Sequence, residues 1–158
     1  MAPMAERELA AIENRQRSVR VQLPPLQQFL RQAKRELGLR GECVTVRLIP
    51  DTEMTRLNQV YRKKEGTTDV LSFPAVEQRK PVARDPLKKN AVRGFLGDIA
   101  ISPAAARRNA RLLGRTLPEE LQILILHGVL HLLGYDHETD RGEMARIEMR
   151  LRRRLGLA

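Results

Sequence analysis

Hydrophobic positions along this chain switch repeatedly between helical and strand periods. Residues 8–22 predict a short strand with a polar, arginine-rich exit. Pro24-Pro25 opens a helix to about Leu37, because Leu26, Phe29, Leu30, Ala33 and Leu37 fall on one side. Gly38 and Gly41 break it. Cys43 to Ile49 alternates and is rich in β-branched residues, which predicts a strand. Pro50-Asp51 ends that strand. Asp51 or Thr52 can cap the next helix, where Met54, Leu57 and Tyr61 recur at helical spacing. Val70 to Phe73 is a third strand and Phe95 to Ser102 a fourth. Ser102-Pro103 starts a helix to about Leu113. A helix at about 117–133 is apolar enough to be largely buried. A final amphipathic helix at about 139–155 turns Met144, Ile147, Leu151 and Leu155 inward and its arginines outward.

Strands interleave with helices, and the helices collect toward the C-terminus. The pattern predicts an α+β fold: a small mixed four-stranded sheet packed with about five helices. Residues 77–94 lack periodicity and read as an exposed loop. A length of 158 residues suits one domain over residues 1–158. No run of about 20 apolar residues exists, so no membrane span is expected. Met1 to Ala11 lacks the apolar core of a signal peptide. A lone Cys43, read as a small apolar strand residue, forbids an internal disulfide and suits a reducing compartment, so cytoplasm is the expected location.

Charge narrows the partners. With 29 Lys and Arg against 19 Asp and Glu, the net charge is +10, which favours polyanions and chiefly nucleic acid. Aromatic residues make up only 3% and tryptophan is absent, so base-stacking platforms are not advertised. Contacts to RNA or DNA would lean on arginine and lysine.

All three histidines fall in one run, His127-Gly128-Val129-Leu130-His131-Leu132-Leu133-Gly134-Tyr135-Asp136-His137. His127 and His131 are four apart, so a helix places them on one face, one turn apart. Gly134 is a helix stop, after which the chain can turn and bring His137 back. A single i, i+4 histidine pair is common by chance. Three in this frame, with none elsewhere, point to a metal site of His127, His131 and His137. Three imidazoles leave one tetrahedral position open, as in a catalytic zinc site, where bound water has its pKa lowered to about 7. The frame is that of a metzincin protease helix, but its glutamate position is Gly128. The residue that would activate water against a peptide bond is missing.

Other polar residues have two readings each. Thr68 and Asp69 could form the turn that starts a strand. Asp98 lies in the apolar stretch Leu96-Gly97-Asp98-Ile99-Ala100, where a carboxylate needs a partner. That partner could be a metal-bound histidine or an arginine. Asp136 is open in the same way. Arg62 and Lys63 end a helix, where cations offset the dipole, or Arg62 could clamp a phosphate bidentately.

Taken together, these segments closely resemble the YbeY family of bacterial rRNA-maturation endoribonucleases. The resemblance is carried by the histidine run, by Thr68-Asp69-Val70-Leu71-Ser72-Phe73-Pro74, by Leu96-Gly97-Asp98-Ile99, and by Asn58 through Tyr61-Arg62. The blocks stand in the family's order and span most of residues 43–155. Thr67 stands where many relatives carry proline. The resemblance implies a compact α+β domain with a four-stranded sheet. It implies a single-strand-directed, metal-dependent endoribonuclease that matures the 3′ end of small-subunit rRNA and serves ribosome quality control. It implies zinc, one ion per chain, on His127, His131 and His137. It implies a catalytic, phosphate-binding role for Arg62 beside His127, and rRNA, the small subunit and ribosome-assembly proteins as partners, with no membrane.

The expected chemistry is phosphodiester hydrolysis with either water or the RNA 2′-hydroxyl as nucleophile. Two alternatives stand beside it. A metzincin-type protease would need a general base from elsewhere, such as Asp136 or Asp69. A non-enzymatic ribosome assembly factor would carry the zinc as structure.

Overall fold

A computed structural model describes residues 11–39, 44–75, 96–136 and 138–157. Within them four strands and five helices follow in the order β1 (Ile12–Asn14), α1 (Leu23–Glu36), β2 (Val44–Leu48), α2 (Asp51–Arg62), β3 (Val70–Pro74), β4 (Gly97–Ile101), α3 (Pro103–Leu113), α4 (Leu117–Leu132) and α5 (Glu143–Arg154). The expected α+β fold with a mixed sheet is what forms. The predicted 77–94 loop, Cys43 and His137 lie outside the described residues. No helix among the described residues is long and apolar enough to cross a membrane.

The sheet order is β1-β2-β4-β3. β1 and β4 run parallel to β2, while β3 pairs antiparallel with β4 at the edge. Alternation along each strand sorts residues onto two faces. Val44, Val46, Leu48, Ile99 and Ile101 join the main core with α1, α4 and α5. Ala100 and Leu71 point the other way, against Met54 and Leu57 of α2. The sheet therefore carries α2 on one face and the histidine helix on the other.

Helix α4 is the centre of the main core, with Leu121, Ile125, Leu126, Val129 and Leu130 almost fully buried. A helix that is apolar all round has to be buried. Its start is a capping box: the Thr116 hydroxyl accepts from the Glu119 amide and the Glu119 carboxylate accepts from the Thr116 amide, both at 3.3 Å. Its end is a Schellman turn. Gly134 N donates to His131 O at 3.0 Å and Tyr135 N donates to Leu130 O at 3.1 Å. Gly134 has φ 101°, which a side chain would strain.

β1 is the short strand expected within residues 8–22, of which 11–22 are described. β1 stops at Asn14 because the buried Gln16 side chain takes over the hydrogen bonding. It donates to Asn14 Oδ1 at 3.0 Å and to Val19 O at 2.8 Å, and it accepts from Val19 N. The last helix begins at Glu143 rather than near 139. Gly142 has φ 91°, outside right-handed helix, and the Asp140 carboxylate accepts from Gly142 N and Met144 N at 2.8 and 2.9 Å.

Candidate metal centre

His127 and His131 project from one face of α4 as their spacing predicts. Their rings meet edge to face, with centroids 4.6 Å apart and planes at 75°. The two Nε2 atoms are 3.1 Å apart. Two imidazoles bound to one tetrahedral zinc at about 2.0–2.1 Å place their nitrogens roughly 3.3 Å apart. The pair is therefore spaced for a shared ion. Among the described residues no group of three His, Cys, Asp or Glu surrounds one point, and His137 is not one of those residues.

The opposite nitrogen of His127 is held from another helix. Its Nδ1 lies 3.1 Å from Glu148 Oε1 on α5. A carboxylate only accepts, so Nδ1 carries the hydrogen, and in the neutral ring this leaves the lone pair on Nε2. Glu148 Oε2 in turn accepts from Arg152 Nη2 at 3.3 Å, one helical turn on. These side chains are well shielded, at 16% exposure for Glu148 and 14% for Arg152. The carboxylate–histidine arrangement fits a zinc-binding imidazole. The sequence reading missed Glu148. Its only signal was a carboxylate on the largely apolar stripe of α5, beside Met144, Ile147 and Leu151.

Gly128 has a packing reason. A Cβ there would meet the Ile99 side chain at 2.8–3.1 Å, so α4 rides directly on β4 at this point. Ser72 Oγ on β3 also donates to the Gly128 carbonyl at 3.1 Å. The position that carries glutamate in a metzincin helix faces the sheet here, with no room for a side chain.

The carboxylates left open by sequence now have partners. Asp98 bonds Arg47 Nη1 at 2.8 Å and the Thr45 hydroxyl, all three on the sheet face away from α4. Ile99 faces the histidine helix, so its neighbour Asp98 faces away from it. Asp69 accepts from Asn109 Nδ2 at 2.9 Å, and its carbonyl accepts from Ser102 N. Asp136 accepts from Glu138 N at 3.0 Å and its carbonyl from Thr139 and Asp140, organising the turn after Tyr135. Asp51, expected as a helix cap, is instead the first residue of α2 after Pro50 at the N-cap, with no side-chain capping bond, and its carboxylate is a junction. Its carboxylate accepts from Ser102 Oγ at 2.7 Å, Arg108 Nη2 at 2.8 Å and Thr67 Oγ1 at 3.1 Å. Burial pushes its pKa up, but these hydrogen bonds and the Arg108 charge outweigh it, so the pKa lies below the usual value.

An open groove of about 1270 Å³ follows the edge strand β3. His127 and His131 line it, together with Arg62, Lys64 and Tyr61 from the end of α2 and the segment after it. Arg62 is the last residue of α2, followed by Lys63 in a left-handed conformation at φ 54°. Its side chain is 38% exposed, and its guanidinium stands 3.5 Å from Glu138, a long contact across an exposed pair. Sequence places Arg62 65 positions from His127 and 69 from His131, and the fold brings them to one groove.

The family described as Endoribonuclease YbeY matches residues 11–156. An Endoribonuclease YbeY of Solibacter usitatus is 40% identical over 154 residues, covering 98% of this chain and 93% of that protein. One of Koribacter versatilis is 46% identical over 129 residues, covering 82% and 74%. A solution structure of a Thermotoga maritima protein is 30% identical, covers 83% of this chain and 76% of its own, and has a TM-score of 0.48.

Proposed function

Because the chain belongs to the endoribonuclease YbeY family, we propose that it is a single-strand-specific, zinc-dependent endoribonuclease for small-subunit rRNA 3′-end maturation and ribosome quality control. The observation that carries the metal part is the His127–His131 pair. Its Nε2 atoms are 3.1 Å apart at a groove that also holds Arg62. The net charge of +10 supports RNA as the polyanion.

His127, His131 and His137 hold one zinc ion per chain. When bound, the ion supplies Lewis acidity at the phosphodiester. Glu148 fixes the ring of His127 and leaves Nε2 as the ligand atom. Arg62 meets the phosphate and offsets the charge that builds on its non-bridging oxygens as the bond breaks. Gly128 offers no general base, and Ile99 occupies the space one would need. Asp69, Asp98 and Asp136 are each engaged by a structural partner. Residues 1–158 act as one domain in the cytoplasm, on rRNA within the small ribosomal subunit and beside its assembly proteins.

Metal analysis and cleavage of pre-rRNA within immature small subunits test the reading, wild type against His131→Ala. The expected result is loss of both zinc and cleavage in the variant. Cleavage that persists without zinc would overturn it. Zinc-loaded wild type that binds immature subunits and cuts nothing would favour an assembly factor.

A further inference from the structure

The groove concentrates the few aromatic residues of the chain. Of three phenylalanines and two tyrosines, Tyr61, Phe73 and Tyr135 line it. Tyr135 is buried in the core. Tyr61 is 64% exposed, unusually open for a large ring in a chain so poor in them. Its orientation is nevertheless set. The Tyr61 and Phe73 rings pack edge to face, with centroids 5.1 Å apart and planes at 77°. Phe73 is itself fixed in β3 by its pairing with Asp98. The result is a supported ring with open surface, beside Arg62 on the same helix and close to Lys64.

We propose that Tyr61 is a stacking platform for one unpaired nucleobase of the RNA, resting on the endoribonuclease reading above. A base offers its π-face only when it is not already stacked in a duplex. A tyrosine platform therefore selects single strands without selecting sequence. Arg62, the next residue, meets the phosphate, while Tyr61 takes a base, so the two fix the register of the strand against the histidine pair. The platform adds a base contact to the arginine and lysine contacts expected from composition. Composition hid the platform because a few aromatic residues suffice when the fold gathers them at one edge.

The test uses short single-stranded RNAs with 2-aminopurine placed at successive positions, mixed with zinc-loaded full-length protein in a stopped flow that reads binding ahead of cleavage. Wild type and Tyr61→Phe should quench the probe at one position. Tyr61→Ala and Tyr61→Leu should lose that quench and bind about 5–150-fold more weakly, since stacking on a ring is worth about 1–3 kcal/mol per base. Duplex RNA should bind all four proteins alike. Unchanged quench and affinity in Tyr61→Ala, with its circular dichroism intact, would overturn the platform and leave the endoribonuclease reading standing. Failure of wild type to bind any RNA would sink both.

Discussion

Glu148 Oε1 stands 3.1 Å from Nδ1 of His127, joining two helices through residues 21 apart in sequence. The contact decides which nitrogen of His127 is available, and it does so from a residue with no place in the histidine motif. Removing it should leave the fold and loosen the metal. Glu148→Ala should weaken zinc binding by about 10–100-fold in a competition titration with a chromophoric chelator. Glu148→Gln, whose amide oxygen can still accept, should lose less. Equal zinc affinity in Glu148→Ala and wild type would show that His127 needs no such support.

Arg62 should separate chemistry from metal binding. Its contact to Glu138 is long and exposed, so Arg62→Ala should fold normally and keep its zinc. Cleavage should fall by about 10²–10³-fold, the range for loss of one donor to a developing charge. Arg62→Lys should recover part of the loss at most, because an ammonium cannot engage two oxygens in a fork. Normal RNA cleavage by Arg62→Ala would remove the phosphate-clamp assignment.

Gly128 should be intolerant for a packing reason. In an exposed helix, glycine to alanine gains about 1 kcal/mol of helix propensity. Here the added Cβ meets Ile99 at 2.8–3.1 Å, so the clash should win and Gly128→Ala should destabilise by about 1–3 kcal/mol. Chemical denaturation of a double-mutant cycle with Ile99→Ala checks the cause. The two changes should be less costly together than their sum. Strict additivity would place the strain elsewhere.

Asp51 gives a pH signature. Its folded-state pKa is held below the usual 3.8, so its stabilisation is present above that value and is lost as pH falls through the folded value. Asp51→Asn keeps an acceptor oxygen but loses the charge that Arg108 meets. It should be less stable than wild type at pH 7, by about 1 kcal/mol. Urea titrations at pH 7 and pH 3 should show the gap closing at the lower pH. A gap of constant size would mean that the charge contributes nothing.

Much of this fold and site was legible in sequence because the signals are local. The i, i+4 spacing of His127 and His131, the stop at Gly134 and the alternation of Val44 to Leu48 depend only on the geometry of one helix, one turn and one strand. The ends of elements were less legible. The last helix starts at Glu143 because Asp140 and Gly142 form a capped turn that hydrophobic period does not register. Asp98 stayed ambiguous until the pairing of β2 with β4 set it opposite Thr45 and beside Arg47.

By itself the sequence determined the α+β pattern, the histidine frame, the missing glutamate and the positive charge that points to a polyanion. Each depends only on residue type and order along the chain. The tertiary structure alone decided three things. Glu148 supports His127 because α5 packs against α4. Gly128 is glycine because α4 presses on Ile99. Tyr61, Arg62 and the histidines share a groove because β3 forms the edge between α2 and α4. All three are contacts between segments far apart in the chain, and spacing along the sequence carries no record of them.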